Sequence, residues 1–154
     1  MSRSTTNWLS FVPQFLAEGM AQQPELPLIQ NDRRFKTVAL FADVSGFTKM
    51  SEALAKTGRR GGEELTTLLN NYFSGMIKIV RRFGGHVGKF GGDAMTILFP
   101  ISTGKTQPTI RRAIQCALDM QAAMTAYEKL PTSAGYFQLQ MKAGLAMGTA
   151  YTTS

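Results

Sequence analysis

The sequence holds a single cysteine, Cys116, among 154 residues. No disulfide can close within the chain, which fits a reducing, cytoplasmic setting. No apolar run approaches the length that crosses a bilayer, so no integral membrane segment is expected. The N-terminus also lacks the layout of a secretory signal, because its apolar residues are broken by Pro13, Gln14 and Glu18. Acidic residues are the minority, 10 against 17 basic ones, for a formal net charge of +7. Such a surplus suits nucleic acid, an anionic membrane surface or a polyanionic small ligand. The basic residues, however, fall as scattered pairs: Arg33-Arg34, Arg59-Arg60, Arg81-Arg82 and Arg111-Arg112. None forms a tract interleaved with aromatics. They read as solvated surface charge, and no nucleic-acid partner is expected. No internal repeat is present.

What remains is ordinary for a globular domain: 44% apolar and 18% charged residues, in a length that suits one core. Residues 1–36 read as a lead-in. Trp8, Leu9, Phe11, Val12, Phe15 and Leu16 make one apolar face of a short helix, interrupted at Pro13 and followed by breaks at Pro24 and Pro27. Such a segment packs on its own domain or a neighbour. The domain proper is expected over residues 37–154.

Thr37 to Ala42 reads as a short buried strand. Thr48 starts a helix through about Lys56, and residues 57–62, rich in glycine, read as a loop. The clearest helix starts near Glu63. Leu65, Leu68, Leu69, Tyr72, Phe73, Met76, Ile79 and Val80 recur at three- and four-residue steps. Glu63 and Glu64 in its first turn and Arg81-Arg82 in its last suit the helix dipole, and Gly84-Gly85 terminates it. His86–Phe90 and Ala94–Phe99 flank Gly91-Gly92-Asp93 as a hairpin. Thr109 to about Glu128 is a second amphipathic helix, with Cys116 packing at its edge, and Phe137 to Met147 a last strand. The order β-α-α-β-β-α-β predicts an α+β sandwich with a ferredoxin-like core and helices on one face of the sheet.

Two acids stand out. Asp43 ends the first strand and Asp93 sits at the hairpin tip, positions that this topology can bring to one edge of the sheet. Each alone reads as a helix cap or a turn acid. Together they form a carboxylate pair, which a cation between them stabilises. Mg²⁺ is commonly held by one or two carboxylates plus substrate phosphates, and two such ions can serve both the attacking and the leaving oxygen. After Asp43, Ser45-Gly46-Phe47-Thr48 runs from strand end to helix start, where free N–H groups suit a triphosphate.

FADVSGFTKMSE (residues 41–52) resembles the first-strand motif of class III adenylate and guanylate cyclases. FGGHVGKFGGDAM (83–95) resembles their metal-binding hairpin. The helix between them and GLAMG (144–148) match the family in position and pattern. The likeness covers about residues 35–154. It is nearest to the first cyclase domain of soluble, bicarbonate-responsive adenylyl cyclases, which have a lead-in like Phe11-Val12-Pro13.

The resemblance implies that Asp43, Asp93 and the Val44 carbonyl hold two divalent cations, Mg²⁺ or Mn²⁺, with Ca²⁺ as a substitute. It implies that Ser45, Gly46, Phe47 and Thr48 meet the triphosphate. Lys89 matches either the lysine that reads adenine or, in a degenerate second pocket, a bicarbonate-site residue. The family's second base contact and its transition-state Asn and Arg lie after GLAMG, whereas the chain ends at Ser154. The domain is thus expected to be incomplete at its C-terminus and inactive alone, working with a second cyclase domain, in tandem or as a homodimer. The implied function is conversion of ATP to cyclic AMP and pyrophosphate. The alternative is a non-catalytic regulatory domain that binds nucleotide or bicarbonate. A guanylate cyclase is less favoured. A diguanylate cyclase, suggested by Gly91-Gly92-Asp93, is disfavoured by Ala94 and Met95, which stand where that family has a further acid and an aromatic.

Overall fold

The computed structural model describes residues 33–152. The lead-in helix expected over the first residues, with Phe11-Val12-Pro13, lies outside them. In chain order the elements are β1 (Arg33–Ser45), α1 (Phe47–Ala55), α2 (Arg59–Arg82), β2 (His86–Gly91), β3 (Ala94–Pro100), α3 (Thr106–Ala123), a 3₁₀ turn (Met124–Tyr127), β4 (Leu130–Thr132), β5 (Gly135–Phe137) and β6 (Gln140–Thr152). Four strands form one sheet in the order β2-β3-β1-β6. All its pairs are antiparallel. β1 and β2 thus run parallel with β3 between them, the split arrangement of the ferredoxin-like core.

Period-2 alternation makes the core. Val38, Leu40, Ala42 and Val44 of β1 and Met95, Ile97 and Phe99 of β3 all point to one face and are buried there. Met50 and Leu54 of α1, Tyr72, Met76 and Val80 of α2, and Ala113, Cys116, Ala117 and Met120 of α3 meet them. Cys116 is inside the core rather than at its edge. Burial, reinforced by Asp119 and opposed by Arg82, pushes its thiol up to about 11. On β6 the inward parity continues at Leu145 and Met147, in register with Leu40 and Val38, yet both are exposed. Among the described residues no helix covers that end of the strand.

Several boundaries differ from expectation. β1 runs from Arg33 to Ser45 because β6 pairs along all of it. The long helix starts at Arg59, four residues early, so the expected glycine loop shrinks and no acid occupies the first turn. A Cβ on Gly61 would stand 2.0 Å from the Leu54 carbonyl oxygen. Glycine therefore lets the start of α2 cross the end of α1, a packing role that reads in sequence as a loop. An exposed ion pair, Arg59 to Glu63 at 3.0 Å, links the new first turn to the second. At the other end the reading holds. Gly84 has φ +70, Gly85 N–H donates to Val80 O and Gly84 N–H to Arg81 O, a Schellman ending.

α3 starts at Thr106 rather than Thr109, since Pro108 falls in the first turn, where no N–H partner is needed. It gives way to the 3₁₀ turn before Glu128. The final strand begins at Gln140 because β4 and β5 form an unexpected two-residue-turn hairpin ahead of it. Glu64 on α2 holds this hairpin's tip, accepting hydrogen bonds from the Ser133 N–H (3.0 Å) and hydroxyl. Among the described residues no helix is long and apolar enough to cross a membrane.

Candidate active site

β1 and β3 pair as far as Ala42 opposite Met95. Asp43 and Asp93 lie just beyond that last rung, Asp43 exposed and Asp93 half-buried in the turn between β2 and β3. Both carboxylates act on the buried Tyr72 phenol. Burial first, then Tyr127, Asp93 and Asp43, push its hydroxyl well above the usual tyrosine range. Among the described residues no cluster of three or more His, Cys, Asp or Glu side chains is present. A cation between these two aspartates would draw its other ligands from backbone carbonyls, water or phosphate. An all-oxygen set of that kind fits a hard ion such as Mg²⁺ and disfavours zinc or copper.

The segment after Asp43 is held from below. Val44 is buried, which fixes its backbone, and the Ser45 hydroxyl donates to Gln140 O at 3.4 Å. Gly46 has φ +106, and a Cβ there would stand 2.4 Å from the Gln138 carbonyl oxygen. The glycine is required by its own chain's backbone, before any ligand arrives. α1 then begins at Phe47, one residue ahead of the expected Thr48. No side chain caps it. The N–H groups of its first turn are left for an anion, helped by the positive end of the helix dipole. The Phe47 ring is buried edge-on against Tyr72, with centroids 5.4 Å apart, so what Phe47 offers a ligand is its backbone.

The hairpin contains a device not legible in the sequence. β2 pairs His86 with Leu98 and Val87 with Ile97, then slips, pairing Lys89 with Thr96 and Phe90 with Met95. Gly88 is the extra residue of a bulge. In an unbroken ladder Val87 and Lys89, two residues apart, would share a face. With the bulge, Lys89 turns to the open face, in the row Lys89–Thr96–Phe41–Gly144. Phe90 turns to the helix side, where it meets Phe73 edge-on at 5.3 Å. On β1 and β6 the next rung of the open face, Ala39 and Ala146, is small. Phe41 stands 54% exposed on a central strand, beside Gly144 and the Ala39–Ala146 rung.

Asp43, Val44, the Ser45–Thr48 segment and Asp93 thus converge at one end of the sheet, and Lys89 lies on the open face beside them. Phe41 and Tyr72 do not stand out in the sequence as site residues. An aromatic at an outward strand position was the one signal for Phe41. Tyr72 reads as one more rung of an apolar stripe.

A family model described as the adenylate and guanylate cyclase catalytic domain matches residues 30–153. The chain belongs to that family. It is 34% identical over 127 residues to adenylate cyclase type 10 of Mus musculus, covering 81% of this chain and 7% of that protein. The chain therefore spans less than a tenth of that relative's length. Among solved structures, it resembles the adenylyl cyclase CyaB from P. aeruginosa with a TM-score of 0.63 and 28% identity, over 79% of this chain and 60% of that one. It resembles the guanylyl cyclase Cya2 with a TM-score of 0.61 and 28% identity, over 79% and 58%. Cyclase catalytic domains of this family typically use divalent metal ions, bind nucleotide and dimerise.

Proposed function

We propose that this domain is the metal- and triphosphate-binding half of an adenylate cyclase, converting ATP to cyclic AMP and pyrophosphate in a cytoplasmic setting once a second cyclase domain is present. The observation that carries this reading is the convergence of Asp43, Asp93 and the uncapped α1 N-terminus at one end of the sheet. Asp43 and Asp93, with the Val44 carbonyl, would hold two divalent cations. Bound there, the ions would acidify the ribose 3′ hydroxyl and offset the charge of the phosphates.

The chain's own part is positional. The backbone of Ser45, Gly46, Phe47 and Thr48 receives the β- and γ-phosphates, and Gly46 fixes that backbone before the ligand binds. The α-phosphorus is then presented to the 3′ oxygen of the same nucleotide, and pyrophosphate leaves. Lys89 faces the side of the sheet from which the base is read, and the preference for ATP over GTP rests on it. The open face around Phe41 is where the partner domain would seat and supply the remaining base contact and the transition-state groups.

The test is cyclic AMP formation from ATP by the complete protein with Mg²⁺ or Mn²⁺. Asp43→Ala and Asp93→Ala should each abolish it while leaving the fold intact by circular dichroism. Full activity in either variant would overturn the metal assignment. An intact protein that binds ATP and makes no cyclic nucleotide would instead be a regulatory domain, binding nucleotide or bicarbonate.

A further inference from the structure

Three of the four arginine pairs that lie apart in the sequence meet at one end of the fold. Arg33-Arg34 opens β1, Arg81-Arg82 closes α2 and Arg111-Arg112 lies in the second turn of α3. The sheet brings these elements together: Thr37 pairs with Pro100, and the Ile101 N–H donates to the Lys36 carbonyl oxygen at 2.8 Å. The helices meet there too. A Cβ on Gly84, just after α2, would stand 3.1 Å from Arg112 Nη1. Lys105 precedes α3 in the same corner. Arg34, Lys36, Arg81, Lys105, Arg111 and Arg112 are all exposed. Among the described residues one acid reaches this end, Asp119, and Arg82 pairs with it. The other described acids stand at the site end, on α1, at the start of α2 or beyond α3. The result is a basic pole at the end of the domain opposite Asp43 and Asp93. From Lys36 to Asp43 the strand covers roughly 23 Å, more than two screening lengths of about 8 Å at physiological salt. The two ends therefore act on separate ligands.

We infer that this pole is a docking surface for an anionic lipid bilayer, with residues 1–32 as the apolar half of the contact. Most of the pole is arginine, whose planar fork pairs with lipid phosphate and carboxylate oxygens. The chain of residues 1–32 joins the domain at Arg33, inside the pole, and carries Trp8, Phe11, Phe15 and Leu16. A basic surface and an apolar segment beside it are the two signals that together hold a protein on an anionic membrane, where either alone binds weakly. A nucleic acid would use the charge and find no use for the apolar segment. With the bilayer at this pole, the far end of the sheet faces away from it and stays open to a small ligand. The inference stands apart from the proposed function, since neither the aspartates nor the α1 start takes part in it.

The test mixes the full chain with phosphatidylserine–phosphatidylcholine vesicles and with phosphatidylcholine vesicles alone. It reads co-sedimentation and the emission of Trp8, the single tryptophan of the chain. Co-sedimentation and a blue shift of Trp8 are expected with the anionic vesicles only, both weakening as salt rises. Arg81→Gln/Lys105→Gln/Arg111→Gln should lower the partition coefficient about a hundredfold, since each basic group near such a surface contributes about fivefold. Lys56→Gln/Arg59→Gln/Arg60→Gln removes the same charge near the start of the 24-residue α2, roughly 35 Å from Arg82 along the helix, and should change it no more than about twofold. All six side chains are exposed, so neither variant should move the thermal midpoint. Equal losses in the two variants would reduce the effect to net charge and overturn the inference. So would vesicle binding without a Trp8 shift, or no binding to the anionic vesicles. Tighter binding to a DNA duplex or to polyglutamate than to the vesicles would also overturn it, assigning the pole to nucleic acid or to an acidic protein.

Discussion

The two faces of the sheet are built from the same strands and obey different rules. On the helix side, Val38, Leu40, Ala42, Val44, Met95, Ile97 and Phe99 are all buried, and each contributes to the fold by the area it removes from water. On the other side, Phe41 is exposed between Thr96 and Gly144, and the charged residues Asp43 and Lys89 stand near it. One residue's step along β1, from Leu40 to Phe41 or from Ala42 to Asp43, passes from a buried position to an exposed one. Most of the folding free energy resides on the helix side, which leaves the other side free to hold unpaired charge and an apolar ring.

The comparison can be broken at chosen points. The largest effect belongs to the helix side. Leu40→Ala should lower unfolding stability by about 3 kcal/mol, within the range of large-to-small substitutions in a packed core, read from urea denaturation. Next comes Gly46→Ala, where the covered and open regions meet. The left-handed φ and the contact with Gln138 O should cost about 2 kcal/mol. It should also weaken triphosphate binding, because the α1 start must shift to admit the methyl group. A silent Gly46→Ala would show that this loop is not held as described. The smallest stability change is expected at Phe41→Ser, within about 0.5 kcal/mol. Its effect should appear instead as weaker association between cyclase domains in analytical ultracentrifugation. If Phe41→Ser destabilises the isolated domain as much as Leu40→Ala, the two faces are not separated in function.

What could be read from the sequence follows the same division. The helix side announces itself by period: the stripe from Leu65 to Val80 and the run Thr37–Ala42 give a helix and a strand because burial demands regular spacing. The candidate site residues Asp43 and Asp93 stand out because each lies close to a glycine at the end of an element. Features set by a single close approach were hidden. Gly61 reads as a loop residue, and its function, clearing Leu54 O, exists only once two helices cross. The β4–β5 hairpin lacks a run long enough to show alternation, and it depends on Glu64, 69 residues away from Ser133 in sequence, to hold its tip. Tyr72 was legible as a core residue, but its unpartnered hydroxyl is a property of the packed structure alone.

The bulge at Gly88 has a consequence for how such a hairpin can change over time. Strand alternation normally ties neighbouring residues together: to re-aim one side chain is to re-aim all those after it. Here one inserted residue acts as a switch of phase. Upstream of it, His86 and Val87 keep step with β3; downstream, Lys89 and Phe90 are reversed. Were Gly88 paired with Thr96 in an unbroken ladder, Lys89 would fall opposite Met95 and Phe90 opposite Ala94, sending an ammonium group under the helices and an aromatic ring to the open face; deletion of Gly88 would leave both where they are. Lys89 and Phe90 are therefore linked as a unit. Substitution at either can be gradual, but a slip of register in this hairpin moves both at once.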